Sequence, residues 1–288
     1  MTLTPVIYER KYEWGPASIT LGTRTQIMGI LNVTPDSFSD GGRYNNVERA
    51  VAHAKQMIED GADLIDIGGE STRPGSQVVS VDEELQRIIP VIEALHAEAP
   101  HIPISVDTYK AEVARQAIQA GAHIINDVWG AKGDPEMART AADLGCPIIL
   151  MHNRQALDYT DYLNDVVHDV QESIDRALAA GVHEKQIILD PGIGFVKDLS
   201  ENLQLMSSLG ILGELGYPVL LATSRKRFIQ HTLDVDADDA IEGTAATVAF
   251  GIAQGCQMVR VHDVKPIRRT ADMCDAMLYR SPGLRRRS

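Results

Sequence analysis

Cysteine is scarce in this chain: Cys146, Cys256 and Cys274 are the three present in 288 residues, with no CxxC pair among them. An odd number at such spacing argues against a disulfide framework and makes a cysteine zinc site a poor reading. Cys146 and Cys256 each precede an apolar run and read as small buried hydrophobes. Missing too is any apolar run near the roughly 18 residues that a membrane span requires. The opening stretch MTLTPVIYERKYEW carries charge where a secretion signal would be apolar, so a cytoplasmic address is expected. Positive charge is in deficit, with 27 Lys and Arg against 40 Asp and Glu, a formal net charge of −13. That balance argues against nucleic acid or an anionic membrane as partner. Any anionic ligand must therefore be met by a local convergence of Lys and Arg. The C-terminal GLRRRS is basic, but so short a run at a chain end reads as a solvated tail. No linker rich in Gly, Ser or Pro divides the chain, and 44% apolar with 23% charged residues suits one folded unit.

What the chain does contain is a recurring unit. Short apolar runs lie at 27–33, 62–69, 102–108, 123–128, 147–152, 186–192, 218–224 and 258–263. They are continuously apolar rather than alternating, as expected of strands covered on both faces. Between them come amphipathic stretches such as Val47–Glu59, Val81–Glu98, Ala111–Ala120 and Leu163–Ala180. Gly61, Gly121, Gly145, Gly181, Gly216 and Gly255 stand where helices would end. Eight such repeats predict an α/β fold, a (β/α)8 TIM barrel over 26–280. The segment 1–25 falls outside the cycle. Its Gly15-Pro16 and Gly22-Thr23 suggest a small antiparallel hairpin closing the barrel bottom, and 281–288 is set apart as the basic tail. An open doubly wound sheet would usually carry GxGxxG after its first strand, and none occurs there.

The loops at the C-terminal ends of barrel strands build active sites. Almost every predicted strand here ends in polar groups. The first runs into Asn32, Thr34, Asp36, Ser39 and Asp40, and the second holds Asp66 and leads to Glu70, Ser71, Thr72 and Arg73. The next four end in Asp107, Asn126-Asp127, His152-Asn153 and Asp190, and the last two in Ser224-Arg225-Lys226-Arg227 and Arg260-Val261-His262-Asp263. One such residue reads equally well as a helix cap or a satisfied buried group. Seven or eight at the same end of successive strands read as an active site. Asp107, Asn126 and Asp190 are acceptors suited to a flat heterocycle bearing N–H and amino donors. Arg73, Lys226, Arg260 and His262, with Thr72, suit a phosphate or diphosphate. Gly41-Gly42 and Pro74-Gly75 mark two loops able to act as lids. Asp66, inside an apolar run, reads first as a core acid or as a partner that orients a neighbour. His152 reads as a strand-end cap and His123 as a packing residue. Met151 and Phe195 are core residues or, at a site mouth, the walls of a slot for a flat ring. Trp129 packs or stacks, and the sequence does not decide which.

The residues then resemble a known family. MGILNVTPDSFSDGG (28–42) and IDIGGESTRPG (65–75) are the long signatures of dihydropteroate synthases. SVDTYKAEVA, GAHIINDVWG, ILMHNR, ILDPGIGF, TSRK and RVHDVK follow in family order, and TYKAEVA with NDVWGAK is most similar to Gram-positive forms. The resemblance implies condensation of 6-hydroxymethyl-7,8-dihydropterin pyrophosphate with p-aminobenzoate, Mg²⁺ as cofactor, and a homodimer. Carried across, it implies that Asp107, Asn126, Asp190 and Lys226 hold the pterin, with Met151 and Phe195 lining its pocket. Thr72, Arg73, Arg260, Val261 and His262 would meet the diphosphate, and Asn32 the Mg²⁺. Phe38, Pro74 and Arg227 would border p-aminobenzoate. Asp40 would stand near the reacting methylene, and with Lys226, Arg260 and His262 it makes up the expected catalytic set. No protein nucleophile is needed, which fits the lack of a recognisable Ser/His/Asp or Cys/His set.

The seventh run departs from the family: Ala222, Arg227 and Gln230 stand where Gly, Ser and Gly are usual. In the family that Ser faces the carboxylate of p-aminobenzoate, so Arg227 implies an added charge there and reduced sensitivity to sulfonamides, as in acquired-resistance synthases. The plain alternative is an Arg227 that points to solvent. Two rival functions are a pterin-binding methyltransferase domain, against which the two loop signatures count, and a non-catalytic pterin-binding protein, which turnover would exclude.

Overall fold

A computed structural model describes residues 5–34, 43–70, 78–280 and 284–287, with main chain alone for 43–45. Strand β1 (Val6–Tyr8) is followed by a hairpin of β2 (Arg10–Trp14) and β3 (Ala17–Leu21). Eight parallel strands then close a barrel: β4 (Gln26–Asn32), β5 (Leu64–Gly68), β6 (Ile104–Asp107), β7 (Ile124–Asp127), β8 (Ile148–Met151), β9 (Ile187–Asp190), β10 (Val219–Leu221) and β11 (Cys256–Val261), with β11 pairing back onto β4. Helices α1 (Arg43–Glu59), α2 (Val81–Glu98), α3 (Ala111–Gln119), α4 (Met137–Leu144) and α5 (Tyr162–Ala179) separate the first six barrel strands. Helices α6 (Leu199–Met206) and α7 (Gly210–Gly213) precede β10, α8 (Arg227–Leu233) and α9 (Ile241–Ala253) precede β11, and α10 (Val264–Leu278) follows it. None of the described helices is long and apolar enough to cross a membrane.

The ends of these elements have local causes. Ser80 caps α2, its hydroxyl accepting from the Glu83 N–H at 3.2 Å. The six glycines placed at helix ends all have φ between 61° and 115°, a conformation side chains resist. At Gly121 a Cβ would also lie 2.7 Å from the His96 ring, so both backbone and space require glycine.

Strand alternation sorts the barrel residues into two sets. Ile27, Ile65, Val106, Ile125, Ile148, Leu189, Leu221 and Val259 face outward into the packed layer beneath the helices. Met28, Leu64, Ile124, Ile149, Ile188, Leu220 and Met258 face inward and meet Tyr12, Ile19 and Leu21 of the hairpin. The hairpin thus plugs the N-terminal end of the barrel, as its position in the chain suggested. Tyr12 fixes it there by donating to the Lys185 carbonyl at 2.8 Å, while Trp14 packs on His123 at 5.0 Å between ring centres. His123 is buried and accepts from the Ile104 N–H at 3.0 Å, a packing role.

The basic tail corrects one expectation. Its arginine side chains are exposed, yet β12 (Arg285–Arg287) is a parallel partner of β1. Arg285 reaches Glu214 at 2.6 Å and Arg286 reaches Glu9 at 2.9 Å, pairs that the linear sequence keeps far apart.

Candidate active site

The barrel interior changes character within two residues. Side chains repeat on one face of a strand every second position. Stepping two residues toward the C-terminal end from Leu64, Ile124, Ile149, Ile188 and Met258 reaches Asp66, Asn126, Met151, Asp190 and Arg260, and Ser105 leads to Asp107. The apolar floor is thereby overlaid by a polar layer. Register brings its members side by side, with Asp107 opposite Asn126 and Met151 opposite Asp190. Asn32 pairs with Gly68, which is opposite Asp107, and a Cβ at Gly68 would stand 3.4 Å from that of Asp107.

Charge is dense in this layer and only partly matched. Arg260 donates through Nε to Asp66 Oδ2 at 2.6 Å and through Nη2 to Asp107 Oδ2 at 2.7 Å. Asn126 also donates to Asp66 Oδ2, at 3.2 Å. Asp66, completely buried, is therefore the group that orients Arg260 and Asn126. The Oδ1 atoms of Asp66 and Asp107 are buried with no hydrogen-bond partner among the described residues. Burial pushes the Asp107 carboxyl up to about 7; Arg260 pulls it down, while Asp66, Glu84 and Asp127 add to the rise. Burial also raises Asp190, against the pull of Lys226. Lys226 is lowered to about 8 by burial, with Asp190 opposing. For Arg260 burial disfavours the charge, but Asp66 and Asp107 outweigh it and hold the guanidinium charged.

The upper rim is set by loops. Lys226 donates to the Ile193 carbonyl, and its ammonium lies 4.9 Å from the centre of the half-buried Phe195 ring. Asp190 accepts from the Gly192 N–H at 2.7 Å. His262 Nδ1 sits 3.0 Å from the Ser224 hydroxyl, which also accepts from the His262 N–H at 3.1 Å. Val261 requires a correction: alternation turns its side chain to the outer core, so any diphosphate contact by it is limited to main chain. Arg260, named with the diphosphate set, is also tied to the acids of the polar layer. Arg227 is exposed at the start of α8, whereas its neighbour Arg225 is held by Asp263 at 2.7 and 2.9 Å and Asp238 at 2.8 Å. Gln230 donates to the Arg225 carbonyl at 2.7 Å, and Ala222 is buried against the barrel floor. Phe38, Asp40, Thr72, Arg73 and Pro74 lie outside the described residues.

The pterin binding enzyme family model matches residues 28–262, which contain this layer and its rim. A dihydropteroate synthase of Bacillus subtilis (strain 168) is 59% identical over 263 residues, covering 91% of this chain and 92% of that one. The chain belongs to the dihydropteroate synthases. It is accordingly a pterin-binding transferase of folate biosynthesis, similar to a Gram-positive relative as its motifs suggested. Among solved structures, the Clostridium difficile dihydropteroate synthase determined in the presence of pteroic acid is 49% identical, covers 90% of this chain and 98% of its own, and has a TM-score of 0.88. The Xanthomonas albilineans dihydropteroate synthase with 4-aminobenzoic acid is 42% identical, covers 95% of this chain and all of its own, and has a TM-score of 0.89.

Two features of this synthase escape a reading of the sequence. Lys110, on the loop after β6, pairs with Glu70 just after β5 and, at 2.5 Å, with Glu84 of α2, joining two successive βα units. Tyr109, Trp129, Lys132, Asn153 and Arg154 line an open cleft of about 480 Å³ beside the mouth, so Trp129 borders solvent rather than filling the core. Neither carries a local motif. Each arises where neighbouring βα units pack onto one another.

Proposed function

We propose that the barrel mouth joins 6-hydroxymethyl-7,8-dihydropterin pyrophosphate to p-aminobenzoate, giving 7,8-dihydropteroate and pyrophosphate. The observation that carries the reading is Asp107 Oδ1, a buried acceptor without a described partner beside Asn126 and within the layer that holds Asp190. An unmet buried acceptor costs about 1–3 kcal/mol, which a ligand donor offsets. A pterin edge, with N–H and amino donors in one plane, supplies such donors, while Asn126 offers both a donor and an acceptor. Met151 and Phe195 flank the flat ring, and Lys226 reaches its carbonyl and ring nitrogen.

The reaction breaks the bond between the pterin methylene and the diphosphate oxygen, whose electron pair leaves with the diphosphate. The arylamine nitrogen of p-aminobenzoate forms the new C–N bond and sheds one proton. Arg260, His262, Thr72 and Arg73 provide the cations and donors that favour charge on the leaving group. Asp40 stabilises positive charge developing on the methylene, and the loops that carry Asp40 and Arg73 exclude competing water. Mg²⁺ is proposed as cofactor. Among the described residues no three His, Cys, Asp or Glu side chains converge as a metal cage. Asn32 offers a hard amide oxygen at the end of β4, a donor set that fits an ion completing its shell with water and diphosphate. When bound, such an ion supplies further charge for the departing group. A cytoplasmic homodimer is proposed as the working form. Large apolar side chains on three mutually packed helices, Leu203, Leu233 and Phe250, are 44–48% exposed and would gain from a partner.

The deciding assay is pyrophosphate release from the pterin substrate with Mg²⁺, in the presence and absence of p-aminobenzoate. Release that requires p-aminobenzoate and yields dihydropteroate is expected; release without it, or none, overturns the reading. Phe38 and Pro74 are proposed as borders of the p-aminobenzoate slot, and Arg227 as its partner for the carboxylate. No ion pair with a described residue engages Arg227, which leaves its charge available. Because a sulfonamide presents a weaker and differently shaped anion, Arg227 should favour the substrate over the drug. Arg227→Ser is expected to tighten sulfonamide inhibition by about tenfold, the equivalent of about 1.4 kcal/mol. Unchanged inhibition sinks the resistance reading.

A further inference from the structure

The loop after β9 bears Phe195 and the carbonyl that receives Lys226, yet it has little regular structure of its own. It is held by a buried lysine. Lys197, 9% exposed, donates to the Gly192 carbonyl at 2.9 Å and the Phe195 carbonyl at 3.0 Å, and its Nζ lies 2.8 Å from His152 Nδ1. Three acceptors match the three protons of an ammonium. With Nδ1 accepting, the imidazole proton resides on Nε2 and is donated to Asp169 Oδ2 at 3.0 Å. Burial keeps His152 neutral by lowering its pKa to about 4. Arg154 completes the line, donating to Asp169 from Nε at 2.5 Å and from Nη2 at 3.3 Å.

Three further observations show how tightly this loop is constrained. A Cβ on Gly192 would stand 1.9 Å from the His152 carbonyl oxygen, so loop backbone rests directly on the end of β8. Val196 adopts φ 43°, a left-handed conformation that a β-branched side chain resists and that persists only where surroundings enforce it. Asn202 pins the loop from α6, accepting from the Gly194 N–H at 2.6 Å and donating to the Lys197 carbonyl at 3.1 Å.

We propose that Lys197 is a positioning residue for pterin binding, which ties the main chain of 192–195 to His152 and thereby sets Phe195 and Lys226 against the pterin ring. The inference rests on the assignment of the barrel mouth to the pterin substrate. Lys197 itself meets main chain and His152 rather than the ring. The alternative is a lysine that serves stability alone. That would lower the amount of folded enzyme and leave the Michaelis constants of what remains unchanged.

Steady-state kinetics of the full chain with Mg²⁺, varying each substrate in turn, separates the two. Lys197→Met keeps the length of the stem and removes every donor. It is expected to raise KM for the pterin substrate about tenfold, the scale of a lost charge-assisted hydrogen bond, with KM for p-aminobenzoate within about twofold. Lys197→Gln, which retains an amide donor, is expected to fall between the two and carries the test if the methionine variant does not fold. Unchanged pterin KM in the folded variant, or an equal rise in both constants, overturns the proposal. A wild-type enzyme without pterin-dependent turnover would refute the underlying assignment, so the two failures are distinguishable.

Discussion

The two ends of the barrel are made by the same eight strands and have opposite physical characters. At the N-terminal end, Leu64, Ile124, Ile188 and Leu220 meet the hairpin in an apolar floor without charge. One alternation further along, Asp66, Asp107, Asn126, Asp190 and Arg260 crowd into a layer where two carboxylate oxygens have no partner among the described residues. Folding is favoured by the floor and is opposed by the burial of unmatched charge above it. The mouth is thus held in place by a scaffold more stable than itself, and the binding of a ligand with the right donors relieves the mismatch.

Substitutions on either side of that boundary should separate activity from stability. Asp107→Asn is expected to have the largest effect on turnover, a loss of about a hundredfold or more, because one carboxylate facing the ligand is replaced by a group that also donates. Its melting temperature should stay near or above that of the wild type, since a partly unmatched buried charge is gone. A melting temperature lowered in step with activity would mean that Asp107 serves the fold. Leu220→Ala, in the floor, should cost about 2–5 kcal/mol of stability by leaving a cavity. Its Michaelis constants below the melting transition should match the wild type; altered pterin KM would show that floor and mouth are not separable.

The boundary can also be probed by pH. Pterin binding as proposed needs Asp107 ionised and Lys226 protonated. The carboxyl is pushed up to about 7 and the ammonium brought down to about 8, each by burial. Raising the pH therefore first gains activity as Asp107 loses its proton, then loses it as Lys226 does. The profile of kcat/KM for the pterin substrate should be a narrow bell between those values, lower by several-fold one unit outside them. Asp107→Asn should flatten the acid limb and, because the Asp107 charge no longer helps to raise Lys226, move the alkaline limb to lower pH. A profile flat from pH 6 to 9 would contradict the assignment of both groups.

Much of the fold was legible because its causes are local. Continuous apolar runs, helical periodicity and glycines that end helices each leave a mark within a dozen residues. Strand-end residues were legible for the same reason, and so was Asp66 as an orienting acid. Its partners were not. Arg260 read as a diphosphate ligand from its strand-end position, and its pairing with Asp66 and Asp107 appears only when the barrel closes and brings residues far apart in sequence together. The outward turn of the Val261 side chain was not legible because a contiguous motif hides the alternation along a strand. The pairing of β12 with β1, and the line from Arg154 through Asp169 and His152 to Lys197, depend on contacts between elements with no motif in common.

The most direct test of the central claim is calorimetric titration of the pterin pyrophosphate, without p-aminobenzoate, into the wild type, Asp107→Asn and Leu220→Ala at one temperature below all three melting transitions. One site per chain is predicted for the wild type and Leu220→Ala with equal affinity, and binding weaker by about a hundredfold for Asp107→Asn, about 2.7 kcal/mol. Equal affinity in all three, or a loss confined to the floor variant, would contradict the assignment of pterin recognition to the polar layer.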